Sequence, residues 1–226
     1  MQDLTIIFLT INKVPEGWAE YQKKVLLGAA GDFPIITISK KPLGWGTFNI
    51  IQNEPISSAN IYRQVLRGAR LATTPYIAIA EDDILYNREH FANIRPPMDT
   101  FAYNMSRWGI FTWGEPTYFF NNRIHNAEMI APRELTIEAL EERFAKHPGD
   151  SSAGQDGELG KNRIEKNLGI TQRKSMEFYT TVPIVAFNHD YSIDPIERNH
   201  KKRMGMIKAY DIPYWGRAEE IVKNFR

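Results

Sequence analysis

Apolar runs and helical stripes alternate in a fixed order over the first ninety residues. "LTIIFLTI" (4–11) is an unbroken β-branched and aromatic run, the pattern of a strand covered on both faces. Pro15 then opens a helix in which Trp18, Tyr21, Val25, Leu26 and Ala29 fall at helical spacing, and Gly31 stops it. A second run, "FPIITIS" (33–39), leads into the loop "KPLGWG" (41–46). The serines of "SSANIYRQVLRGARLA" (57–72) cap a second helix with Tyr62, Val65, Leu66 and Ala69 on one face, and "PYIAIA" (75–80) is a third strand. An order β-α-β-α-β predicts a parallel sheet with right-handed crossovers, whose ligand crevice lies beyond the carboxyl ends of the strands.

Past residue 90 the pattern loosens. "WGIFTW" (108–113) and "TYFF" (117–120) read as strands around Gly114-Glu115-Pro116, with "NAEMIAP" (126–132) as another. Ile137, Leu140 and Phe144 carry a helix over 136–144, and a turn-rich loop (146–157) precedes a short helix over 157–168 that ends at Gly169. "FYTTVPIVAFN" (178–188) is a long strand, and Ala218, Ile221, Val222 and Phe225 mark a last amphipathic helix. The chain reads as one α/β domain over 1–226, a mixed, mostly parallel sheet flanked by helices, without internal repeats.

Composition narrows the chemistry. Hydrophobic residues make up 42% and charged residues 24% of the 226, which fits a globular chain rather than a disordered one. With no cysteine, disulfides and thiolate metal sites are excluded; Asp, Glu, His and backbone oxygen remain as ligands and favour a hard cation such as magnesium or manganese. The amino-terminal stretch has no basic region and no window approaches 18 apolar residues, so the expectation is a soluble cytoplasmic protein without membrane insertion. Charge is uneven: residues 1–159 hold 15 Lys+Arg against 19 Asp+Glu, and residues 160–226 hold 13 against 8. The basic carboxy-terminal third, with Arg198, Lys201, Lys202, Arg203 and Lys208, suits a polyanion; ordinary solvated surface is the other reading.

The third strand runs straight into Glu81, Asp82 and Asp83. In an extended stretch Glu81 and Asp83 point to the same side and can share a divalent cation with a diphosphate; a charged turn or a helix cap is the alternative. The segment "SSANIYRQVLRGARLATTPYIAIAEDDILYN" resembles the nucleotide-sugar-binding core of GT-A glycosyltransferases, particularly the family 2-like group, in which a helix, a short link and an apolar strand lead into a D-x-D-type motif. The resemblance covers residues 4–90 and continues more loosely to 190, with Glu81 standing where the family has Asp. It implies a Rossmann-like GT-A domain with a nucleotide-sugar-binding half (1–90) and an acceptor-binding half (91–226). It also implies nucleotide contacts from Thr10, Ile11, Asn12, Ser39, Glu81 and Asp82, and a metal held by Asp83 or Glu81 with His189 or His200.

In these enzymes the base that takes the acceptor's proton lies at a helix start, which in "GQDGELGKNR" (154–163) falls on Asp156, with Glu158 second and Gln155 where a Glu is expected. A plain helix cap is the alternative. Two further readings come from the residues themselves. Arg63, Arg67 and Arg70 form one basic stripe that either reaches a diphosphate or faces solvent, and Trp113 with Glu115 in a Gly-Pro turn form either an acceptor platform or ordinary packing.

The implied reaction is a metal-dependent, inverting transfer of a sugar from a nucleoside diphosphate donor, with a UDP-sugar expected, to an acceptor hydroxyl. Small cysteine-free enzymes of this kind resemble the phage-encoded glycosyltransferases that modify hydroxymethylated pyrimidines in DNA. That likeness implies duplex DNA gripped by Lys201, Lys202 and Arg203, and a host cytoplasm as location. A glycan or small-molecule acceptor, a nucleotidyltransferase and a non-catalytic carbohydrate-binding domain stand as alternatives. The nucleotidyltransferase would need a glycine-rich loop after the first strand, where "TINKVPEG" offers only Gly17.

Overall fold

A computed structural model of the chain describes residues 2–149, 157–192 and 207–225. Its main sheet grows from β1 (Leu4–Leu9), β2 (Ile35–Ser39), β3 (Phe48–Ile51) and β4 (Tyr76–Glu81), all parallel, linked by α1 (Glu16–Ala30) and α2 (Ser58–Leu71). Leu4, Ile6 and Phe8 of β1 face one core, and Ile7 and Leu9 face the other. That two-sided burial is what the unbroken apolar run predicts. Ser57 caps α2 by accepting the Asn60 N–H at 3.2 Å. Gly68 lets α2 lie directly on β1, since a Cβ there would stand 2.7 Å from Ile7 Cγ2.

Beyond β4 the chain makes β5 (Ile84–Leu85), α3 (Arg88–Ala92), β6 (Thr100–Asn104), β7 (Arg107–Phe111), β8 (Tyr118–Phe120), β9 (Met129–Pro132) and α4 (Arg133–Lys146). It continues through α5 (Asn162–Leu168), β10 (Lys174–Phe178), β11 (Ile184–Asn188), the short strands β12 (Lys208–Ala209), β13 (Asp211–Ile212) and β14 (Gly216–Arg217), and α6 (Ala218–Lys223). The seven-stranded sheet has the order β10-β6-β9-β4-β1-β2-β3 with β9 antiparallel, and a five-stranded sheet has the order β12-β8-β7-β11-β5. Helices α2 and α4 cover one face of the large sheet, α1 and α3 the other. Trp18 of α1 and α6 close the small sheet through Phe187, Ile221 and Phe225. This is the α/β class expected, a mostly parallel sheet between helices.

Several boundaries differ from expectation. Of the strand expected over 178–188, only Ile184–Asn188 forms β11, while Phe178 is the last residue of β10, which belongs to the other sheet. Between them Asn87 Nδ2 donates to the Val182 carbonyl at 2.7 Å, and Pro183 has no N–H for a ladder. The strand expected over 126–132 opens with a 3-10 turn, Asn126–Glu128, and only Met129–Pro132 is extended. β3, β5, β6 and β10 carry no strong periodicity of their own and emerge only through their neighbours.

Candidate active site

The acids stand where the large sheet opens. Glu81 ends β4, and Asp82 and Asp83 turn the chain into β5. The backbone of this turn is anchored at all three acids. Trp18 Nε1 donates to the Asp82 carbonyl at 2.7 Å, and Gln22 Nε2 donates to the Glu81 and Ile84 carbonyls at 3.2 Å each. The Phe187 N–H donates to the Asp83 carbonyl at 2.8 Å, and the Glu81 N–H donates to the Tyr86 hydroxyl at 3.0 Å. Helix α1, Tyr86 just past β5, and β11 thus fix the turn from three sides, leaving three carboxylates facing a cleft of about 930 Å³.

Within the cleft Thr10, one residue past β1, donates its hydroxyl to Asp82 and accepts the Asn12 N–H at 2.9 Å. His189, just past β11, is buried with Nε2 3.5 Å from Asp83 Oδ2. Burial, then the charges of Asp83 and Asp82, hold the Glu81 carboxyl well above the ordinary range. Burial and Asp83 push Asp82 up to about 7 against the pull of Thr10 and His189. Arg107, at the start of β7, ion-pairs with the fully buried Glu128 at 2.7 Å. Burial outweighs that guanidinium and pushes Glu128 up to about 8.

Could this corner hold a divalent cation? Asp83 Oδ1 is buried without a hydrogen-bond partner, which suits one hard-cation contact of the kind magnesium or manganese takes alongside waters and phosphate oxygens. His189 is less suited in its present tautomer. Its Nδ1 accepts the Tyr191 N–H at 3.1 Å, so the neutral ring carries its proton on Nε2, turned toward Asp83. Among the described residues no group of three or more His, Asp or Glu converges as a complete protein cage.

No protein-family model matches the chain. No curated protein matches it either. Among solved structures, a glycosyltransferase involved in the glycosylation of the major capsid of PBCV-1 is 11% identical, with a TM-score of 0.50 over 82% of this chain and 92% of that one. This is the GT-A fold. HddC from Yersinia pseudotuberculosis gives a TM-score of 0.48 at 10% identity over 80% of this chain and 92% of that chain. The mannosyltransferase PcManGT from Pyrobaculum calidifontis, in complex with GDP-Man and Mn2+, gives 0.48 at 12% identity over 88% and 58%. At such identities the likeness is one of fold, and chemistry has to be argued from the site.

On the GT-A frame the expected residues divide. Thr10, Ile11, Glu81, Asp82, Asp83, Glu158 and His189 border one cleft. Asn12 and Ser39 instead tie strand ends together. Asn12 Oδ1 accepts the N–H groups of Lys40 and Lys41 at 2.8 and 2.9 Å, and Ser39 Oγ donates to the Lys41 carbonyl at 2.7 Å. The stripe Arg63, Arg67 and Arg70 lies over a separate hollow against Leu66, Glu141 and Phe144, because the cleft side of α2 is taken by Ser57, Asn60 and Gln64. The stripe therefore lines a hollow other than the cleft that holds the acids. Trp113 packs on Phe111 with ring centroids 5.0 Å apart in the turn after β7, and neither it nor the exposed Glu115 is among the residues that border the cleft. Asp156, His200, Lys201, Lys202 and Arg203 lie outside the described residues.

Other residues of the site went unread in the sequence. Arg107, His125 and Lys161 border the cleft, Lys161 Nζ donating to Glu158 Oε2 at 2.9 Å. Gln52, Asn60 and Gln64 form a buried amide row in its wall. A lone Arg before the apolar run "WGIF" and a lone Glu inside "NAEMIAP" were the signals that could have found the buried pair, since a charge in a buried strand needs a partner.

The titration shifts set a pH dependence. Glu128 holds its proton up to about 8 in the folded chain and only to about 4.5 when unfolded, so its contribution to stability falls as pH rises through that window. Asp82 and Glu81 act in the same sense. The buried His90, pushed down to about 3, acts oppositely, but only below its ordinary 6.5. Between pH 6.5 and 8 the acids stand alone, and denaturation midpoints are expected to fall, with Glu128 contributing about 1.4 kcal/mol per pH unit at most. Glu128→Gln should flatten the slope; an unchanged slope overturns the assignment.

Proposed function

We propose that this protein is a glycosyltransferase that takes a sugar from a nucleoside diphosphate donor, with a divalent cation held at Asp83. The observation that supports it is the buried, unpartnered Asp83 Oδ1 at the carboxyl edge of β4, in a chain whose fold is shared with a glycosyltransferase. When bound, the cation would offset the charge of the diphosphate leaving group. Asp82, held by Thr10, keeps the neighbouring wall of the cleft fixed, and His189 steadies Asp83. A carboxylate of the segment before α5, Asp156 or Glu158, accepts the acceptor hydroxyl's proton as that oxygen attacks the anomeric carbon, in one inverting displacement. Glu158 borders the cleft, where its Oε2 accepts from Lys161 Nζ at 2.9 Å.

For the acceptor, a hydroxymethylated pyrimidine in duplex DNA is our reading of the basic carboxy-terminal third. Salt-dependent retention of duplex DNA, lost in a Lys201, Lys202 and Arg203 triple Ala variant, supports that part; retention indifferent to salt removes it. The donor reading is tested by thermal unfolding with uridine, guanosine, cytidine and thymidine diphosphates and their sugars, with and without manganese. A donor at a hundredfold its Kd adds about 2.7 kcal/mol, or roughly 5–10 °C for a chain of this size. At least one donor should give that shift only with manganese, and a flat panel overturns the reading.

A further inference from the structure

Three buried amides cross one wall of the cleft, from the edge of the large sheet to α2. Gln52 follows β3, its N–H bound to the Ser39 carbonyl at 2.8 Å, and Asn60 and Gln64 sit one turn apart on α2. Their exposures are 3%, 5% and 4%, and all three border the cleft. Gln64 Nε2 donates to Asn60 Oδ1 at 2.7 Å, and Asn60 Nδ2 donates to Gln52 Oε1 at 3.1 Å. Asn60 is thereby used at both ends, while one polar atom of each glutamine is left over. Gln64 Oε1 is buried without a partner. Gln52 accepts from Asn60 through Oε1, which leaves Nε2 as its remaining polar atom at the cleft; unlike Gln64 Oε1 it is not one of the buried unpartnered atoms.

Gln64 Oε1 is costly where it has no partner, and a row of amides with spare polar atoms at a cleft is useful in a recognition surface, because a matched ligand pairs them. Its place in the sheet suggests which part of a ligand it meets. The acids end β4, and β1, β2 and β3 follow in order, so three strand spacings separate the two, about 14 Å. That is comparable to the span from the diphosphate to the base edge of an extended nucleoside diphosphate.

We infer that the Gln52–Asn60–Gln64 relay reads the donor's nucleobase, and that its polarity selects bases with a ring carbonyl facing Gln52. This rests on the nucleotide-donor reading above. Gln52 Nε2 is a donor, so it is matched by the carbonyl of uracil, thymine or guanine and opposed by the exocyclic amine of cytosine or adenine. The relay transmits polarity: an aspartate in place of Asn60 accepts from both sides, so Gln52 must turn its Nε2 inward and its Oε1 to the cleft. The preference then reverses. Gln52→Glu reaches the same end by another route, keeping the bond from Asn60 and presenting an oxygen to the ligand.

The test is calorimetric binding, with manganese present, of UDP against CDP and GDP against ADP, pairs matched in size. For the wild-type chain the carbonyl base of at least one pair should bind about tenfold tighter, the worth of one matched hydrogen bond. Asn60→Asp should invert that order, and Gln52→Glu should do so even if Asn60→Asp does not fold, with melting curves separating the two. If nucleotides bind but the amine bases lead in the wild type, or the order is the same in every folded variant, the relay does not read the base. If no nucleotide binds at all, the donor reading itself fails and takes the inference with it.

Discussion

Asp83→Asn is expected to lower kcat/KM for donor hydrolysis and for transfer by about a thousandfold or more, the scale of several kcal/mol of charge stabilisation lost at a cation site. The carboxamide keeps the shape of the side chain and removes its charge. Stability should hold or rise, because Asp83 is among the charges that force Glu81 and Asp82 upward, and the turn's backbone is fixed by Trp18, Gln22 and Phe187 without help from the carboxylate. Lost activity at an unchanged melting temperature therefore isolates the chemistry. The manganese-dependent thermal shift should vanish in the same variant. Activity within tenfold of the wild type, with the shift intact, would falsify the assignment of Asp83 to the cation. A binding module without catalysis would behave differently again, keeping its ligand and showing no hydrolysis to lose.

The sequence is legible where hydrophobic pattern and position coincide. The run 4–11, the two stripes of α1 and α2, and "PYIAIA" predict four elements of a parallel array, and the acids then fall at a strand's carboxyl end by topology alone. Edge and short strands were not legible. β3 is half-exposed and β5 is two residues long, so neither has a period to read. For the site, sequence distance was the obstacle. Arg107 and Glu128 lie 21 residues apart and meet only because β7 and the turn before β9 come to the same cleft. The arginine stripe on α2 was correctly phased, yet helical phase fixes only which residues share a face and leaves open what that face meets. Asn12 shows the same limit at a smaller scale. It sits at φ 55 with its side chain oxygen bound to two backbone N–H groups, a turn-forming use that competes with any nucleotide contact.

Trp18 carries the second large effect, and it joins the core to the site. Its indole is fully buried against Phe187 and Phe225, with ring centroids 4.2 and 4.9 Å away, as the helical stripe of α1 leads one to expect. The pattern does not foretell that its N–H reaches the Asp82 carbonyl at 2.7 Å and so holds the acidic turn from below. Two substitutions separate these roles. Trp18→Ala removes ring and donor together and should cost about 3–5 kcal/mol, measured as a fall in the denaturation midpoint. Trp18→Phe keeps most of the apolar volume and leaves the Asp82 carbonyl without its donor, for about 1–3 kcal/mol. Its distinguishing consequence is catalytic: with one of three anchors gone, Asp82 and Asp83 sample more than one orientation, and kcat/KM should fall about tenfold while the far wall of the cleft is untouched. A Phe variant that melts lower yet transfers sugar at the wild-type rate would mean that α1 supports the core and has no part in aiming the acids.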